Sequence, residues 1–263
     1  FGYARTEEEA DGLVAGSISG KFYEAGYQEL GLSGITASTN SGLSASTVYY
    51  FKIQCDGSTA LEISFTTDSS NVNFGGTNGI IQKIQSALDT QFYTESHLYE
   101  KKVNVGIVNG DIRFTSGQHL STSAIALSAG TSGTANTDEF FDGSNAIGRI
   151  PASPEAAVAA RLPQDTILDR KSGVSVPNTS AFFYDDGHGN ILGKCTGTIN
   201  YETGAIDLQG CPPNANFVVD ANYGSAHSGG NDFGASTANC IQQIAARSTN
   251  SKINTTIEII GLK

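Results

Sequence analysis

The chain has 263 residues, a net charge of −11 and a sequence pI near 4.7, enough length for one large domain or two ordinary ones. Apolar residues make up 38% and charged residues only 16%, with 31 glycines, a mix that fits a β-rich chain better than a cytosolic helical enzyme. The basic residues form no cluster longer than Lys101-Lys102 or Arg170-Lys171, so no nucleic-acid partner is expected: a phosphate backbone needs a basic face to displace its counterions.

No apolar run approaches the roughly 20 residues needed to span a bilayer, and no membrane partner is expected. The chain contains no Met, so Phe1 is read as following a processed or missing start. Residues 1–45 read as an N-terminal arm and linker. "ARTEEEADGLVAG" opens as a short acidic helix, and "GLSGITASTNSGLSAS" is loop-like. With few large apolar side chains of its own, the arm is expected either to order against a neighbouring subunit or to stay mobile.

Residues 46–140 read as one domain in the order β-β-α-β-β-β. Thr47–Gln54 and Ala60–Thr66 alternate as strands around the hairpin signal Asp56-Gly57. Ile80, Ile81, Ile84 and Leu88 then fall on one helical stripe, with Thr77 or Asn78 as cap. "KVNVGIV" and "DIRFTS" follow around Asn109-Gly110, and Ser123–Ala129 closes the set. One helix on one face of a mostly antiparallel sheet is the economical packing.

Residues 141–175 read as a Pro-containing connector, punctuated by Pro151, Pro154 and Pro163. Within it "SPEAAVAAR" predicts a short helix with Ser153 as N-cap, Pro154 in the first turn and Glu155 favouring the dipole. Residues 176–263 read as a second β-rich domain, with strands in "TSAFFYDD", "ILGKCTGTIN", "AIDLQG" and "NFVVDANY". "STANCIQQIAARS" predicts a short helix, and "INTTIEIIGL" ends the chain as a strand that docks into its own sheet or a neighbour's. The predicted fold class is therefore mainly β with minor α (α+β): two small β-rich domains, a connector and an arm.

Chemistry-bearing motifs are sparse. His97, His119, His188 and His227 are scattered through polar stretches, and no nucleophile elbow, zinc motif or P-loop occurs. "YDDGHGN" fails the calcium-loop pattern and reads as a Gly-rich hairpin turn. No catalytic, cofactor-binding or metal-binding residue is assigned, and no enzyme activity is expected. Tyr49, Tyr50 and Phe51, like Phe182, Phe183 and Tyr184, place aromatics on both faces of a strand. One face is expected to be core and the other covered by a subunit or an adjacent segment. The four cysteines are Cys55, Cys195, Cys211 and Cys240. Cys195 and Cys211 flank a hairpin and either form a disulfide or remain free buried thiols.

That hairpin, "TGTINYETGAIDL", admits two registers. A three-residue loop centred on Thr203 sets Cys195 opposite Cys211 but mixes the two faces. A four-residue loop, Tyr201 to Gly204, sets Ile199 opposite Ile206 and Gly197 opposite Leu208. It is preferred because burial normally fixes register, and it leaves the cysteines one step out of line unless Gly197 or Gly210 distorts the strand.

The same stretch resembles a hairpin recurrent in tailed-bacteriophage virion proteins, roughly G-x-I-x-Y-x-T-G-x-I-x-L. It matches at Gly197, Ile199, Tyr201, Thr203, Gly204, Ile206 and Leu208, with Pro212-Pro213 and another strand following. Residues 49–134 are similar, more loosely, to β-β-α-β-β insert modules of phage tail and baseplate proteins and of flagellar filament-family proteins, through Asp56-Gly57, Gly110, Ile112, Phe114, Ser116 and Ser123 to Leu127. The resemblance implies a non-enzymatic structural subunit located in the virion, as capsid decoration or tail component. Its partners would be copies of itself and other virion proteins, with the N-terminal arm and C-terminal strand as intersubunit contacts. Two alternatives stay open: a microbial cell-surface filament or S-layer-like subunit, and a secreted glycan-binding module.

Overall fold

A computed structural model describes residues 11–13, 15–93, 102–134, 137–163, 166–168, 175–177, 182–201, 205–211, 217–225, 236–242 and 255–258. The protein is mainly β. The described elements begin with β1 (Asp11–Leu13), β2 (Ser19–Phe22), β3 (Tyr27–Leu30), β4 (Val48–Cys55) and β5 (Leu61–Thr66), followed by the helix α1 (Ile80–Tyr93). Next come β6 (Val103–Val108), β7 (Asp111–Ser116), β8 (Ile125–Ala129), β9 (Thr166–Leu168) and β10 (Ser175–Pro177). The chain continues with β11 (Phe182–Asp185), β12 (Asn190–Gly193), β13 (Thr196–Asn200) and β14 (Ala205–Gln209). It ends in β15 (Phe217–Ser225), β16 (Ser236–Gln242) and β17 (Thr255–Glu258). Two compact units result: a continuous one, Ala25–Arg161, and a split one built from Phe1–Glu24 and Leu162–Lys263.

The continuous unit holds two antiparallel three-stranded sheets, β5-β4-β8 and β3-β7-β6. In β4 the alternation of side chains buries Tyr49, Phe51, Ile53 and Cys55. On α1 the residues at helical spacing, Ile80, Ile84, Leu88 and Phe92, are buried. The Phe51 ring lies 5.6 to 6.4 Å from those of Phe65, Phe114, Phe140 and Phe141, offset and edge-on contacts that favour aromatic rings. Both hairpin turns have two successive left-handed residues, Asp56-Gly57 at φ 51° and 73° and Asn109-Gly110 at 53° and 90°. This twist matches that of the flanking strands. The start of α1 differs from expectation. Its first N–H groups donate to the carbonyls of Asn73 and Phe74 rather than to a Thr77 or Asn78 side chain, and the Asn78 N–H itself donates to Gln82 Oε1.

The main sheet of the split unit has the order β1-β15-β2-β11-β12-β13-β14-β17, with β16 also on β15. Because β16 runs beside the whole of Phe217–Tyr223, β1 and β2 lie end to end along the opposite side of β15. Ile18, Phe22, Phe183, Ile191, Cys195, Ile199, Ile206 and Leu208 form the described core. The same unit contains a separate short antiparallel pair, β9 with β10.

Three expectations from the sequence require correction. The stretch read as arm and linker, residues 1–45, supplies strands to both units: β2 pairs with β11 and β15, and β3 pairs with β7. It also carries core side chains of its own, Ile18 and Phe22 in the split unit and Leu30, Ile35 and Leu43 in the continuous one. Gly20 sits opposite Phe183, and a Cβ there would come within 2.2 Å of the Phe183 ring. Residues 1–10 lie outside the described residues. The segment 153–161 is extended rather than helical. Val158 exchanges two backbone bonds with Tyr27, and the Glu155 N–H donates to the Glu29 carbonyl. A helix this short cannot repay its nucleation without a large apolar face, whereas the edge of β3 offers ready partners. Residues 236–242 form β16 instead of a helix, taken up by the long edge of β15, so tertiary pairing overrides local propensity. The last strand, β17, pairs with β14 of the same chain.

Candidate functional site

The β13–β14 hairpin adopts the register with Ile199 opposite Ile206 and Gly197 opposite Leu208. Thr203 and Gly204 of its pattern lie outside the described residues, and Gly197, Ile199, Tyr201, Ile206 and Leu208 each have a structural cause. A Cβ on Gly197 would sit 1.8 Å from the Asp207 carbonyl oxygen, so the position admits no side chain. Ile199, Ile206 and Leu208 fill the core. Tyr201 donates its hydroxyl proton to Asp185 Oδ1 at 2.7 Å and accepts the Gly189 N–H at 2.9 Å. Desolvation and the bond to the Asp185 carboxylate push its pKa up.

Asp185 is the hub of this region. Its buried carboxylate also accepts the N–H groups of Gly16 at 2.9 Å, Ile18 at 3.1 Å and Gly187 at 2.6 Å. It thereby joins the entry to β2, the β11–β12 turn and the hairpin. Asp186, on the opposite side of the strand end, closes the turn. It accepts from the His188 and Asn190 N–H groups at 2.8 and 3.1 Å and from Asn190 Nδ2 at 2.8 Å. The Asn190 bond leads the lowering of its pKa. An exposed His188 ring nitrogen stands 2.9 Å from the Asp186 carbonyl. "YDDGHGN" is thus a turn whose acids are engaged by its own chain.

The acids of the continuous unit behave similarly. Glu62 accepts from Thr131 and Ser132 through both backbone and hydroxyl groups, and the Ser132 hydroxyl leads a fall of its pKa to about 2. Glu139 accepts the Gly130 N–H, and burial raises its pKa. Asp56 accepts the Ala124 N–H at 3.0 Å and the Ser116 hydroxyl at 3.1 Å. Burial and the adjoining Asp56 push the Cys55 thiol up to about 12, a poor nucleophile at neutral pH. Among the described residues no group of three or more His, Cys, Asp and Glu is placed to hold a metal ion. His119 and His188 belong to different units, and His97 and His227 lie outside the described residues.

The aromatic strands split as their alternation requires. Tyr49 and Phe51 are buried, and Tyr50 lies under residues 138–140 through backbone bonds to Asp138 and Phe140. Phe183 is buried, while Tyr184 is 37% exposed and pairs with Leu192, 39% exposed, on the outer face of the split unit. The Phe182 ring lies 6.4 Å from that of Tyr184. Tyr184 and Leu192 are two of the four large hydrophobic residues that are exposed among the described residues, with Val48 and Leu162. Cys195 and Cys211, singled out by their spacing, come together with their sulfurs 2.6 Å apart. The Asp185–Tyr201 pair escaped sequence reasoning. Its only signal was a Tyr in a hairpin that follows a paired-acid turn.

No family model, curated protein sequence or solved structure matches the chain.

Proposed function

We propose that the protein is a non-enzymatic structural subunit of a tailed-bacteriophage virion, assembling on the capsid or tail through contacts with copies of itself and other virion proteins. In this reading the two compact units are two β-rich domains. The observation that carries it is the β13–β14 hairpin, where every patterned residue that is described has an architectural use: Gly197 for clearance, Tyr201 to tie Asp185, and Ile199, Ile206 and Leu208 for core. A stretch so used serves shape, in keeping with the virion hairpin that it resembles. Two further features support the reading. The described carboxylates named above are held by backbone, hydroxyl and amide donors, a use that stabilises loops. The split unit also offers an outer patch at Tyr184 and Leu192, and its edge strands β16 and β17 pair on one side only among the described residues. Open edges are templates for pairing with another chain.

Immunogold electron microscopy of the native source tests the reading. Label is expected on capsids or tails. Label confined to free cell-surface filaments would overturn it in favour of a filament subunit.

A further inference from the structure

The hairpin register leaves Cys195 and Cys211 out of line. Thr196 pairs with Gln209, so regular continuation would set Cys195 against Gly210. Gly210 interrupts that continuation: its φ is +70°, in the left-handed region that favours glycine. The backbone turn there brings Cys211 back over β13, and the two sulfurs touch at 2.6 Å. Cys195 is buried among the core residues, and Cys211 packs against the same cluster from a half-buried position. Cys55 belongs to the other unit, bonded to Asp56 and the Lys102 carbonyl.

We propose that Cys195 and Cys211 are a disulfide-forming pair that staples the β13–β14 hairpin when the protein meets a low-molecular-weight disulfide. The step is thiol–disulfide exchange with a molecule RS–SR. Cys211, as thiolate, attacks one sulfur of RS–SR; that S–S bond breaks and RS⁻ departs, leaving a mixed disulfide on Cys211. Cys195 then attacks the Cys211 sulfur, and the second RS⁻ departs. The two departing thiolates take up the two protons that the cysteines release. The protein loses two electrons and RS–SR is reduced to two RSH. Exposure makes Cys211 the first attacker, and the Cys195 S–H that donates to it holds its thiol pKa down while raising that of Cys195.

The test uses the full chain with oxidised glutathione as the probe. Denatured after reduction, the protein should titrate four thiols, one for each cysteine. After native incubation with the probe it should titrate about half as many, and peptide mapping should find one link, between Cys195 and Cys211. The midpoint of thermal unfolding should rise by roughly 5–10 °C on oxidation, and Cys211→Ser should abolish both link and rise. Full retention of thiols, a link through Cys55 or Cys240, or a glutathione adduct that persists on Cys211 would each overturn the proposal. Mapping on the unmutated chain decides it even if the variant folds poorly.

Discussion

The continuous unit closes on a single stretch of chain, whereas the split unit waits for both ends of the sequence. In the first, β4, β5, α1, β6, β7 and β8 follow one another and share one aromatic core. In the second, the carboxylate of Asp185 reaches back 169 positions to the Gly16 N–H and 167 to that of Ile18. Contacts at such separation cost loop-closure entropy before they return any stability. The difference teaches that the split unit adds a buried carboxylate joining distant segments to a small core, whereas the continuous unit closes its ends by backbone pairing around a larger core.

Removing residues 1–24 should have the largest effect. It takes β2 from between β11 and β15. Hydrogen exchange is expected to lose protection throughout the split unit and to keep it in residues 25–161. Retained protection at β11 and β15 would contradict the pairing. Next, Phe51→Ala should destabilise the continuous unit by about 3–5 kcal/mol through its cavity. Urea unfolding followed separately in each unit should show the other unit unmoved.

Asp185→Ala is the counterpart in the split unit. It strips the partner from three backbone N–H groups and the Tyr201 hydroxyl, at a cost of about 2–3 kcal/mol. A change that appeared equally in both unfolding transitions would erase the distinction. The smallest effect belongs to Glu62. Its pKa falls from an ordinary 4.5 to about 2 on folding, so its stabilisation is complete above about pH 4.5 and is lost as pH falls toward 2. Glu139, raised by burial, acts in the opposite sense: it favours the fold when protonated and opposes it as it ionises. Glu62→Gln should flatten the acid limb of the continuous unit by under about 1 kcal/mol, because solvent screens the site. NMR titration of the two carboxyls would check the opposite signs.

Where partners are near in sequence, the pattern sufficed. The alternation of β4 and β5, the stripe Ile80, Ile84, Leu88 on α1, both left-handed turns and the Ile199–Ile206 register could all be read from local spacing. β2 could not, because its glycine makes sense only beneath a ring contributed by Phe183. β16 and the extended 153–161 segment were hidden for a related reason: a neighbouring edge, rather than their own propensity, decides their conformation. At the candidate site the cysteine pair was visible as spacing. The Asp185 hub was not, because three of its four donors are backbone N–H groups, two of them on the distant Gly16–Ile18 segment.

The backbone bonds between Tyr27 and Val158, at 2.9 and 2.8 Å, mean that the continuous unit begins and ends at one spot. Antiparallel residues bonded in this way stand only about 5.5 Å apart, little more than the width of a tight turn. A cassette with such a narrow doorway can be spliced into a surface loop of a host fold, or cut out of one, without stretching the strands on either side.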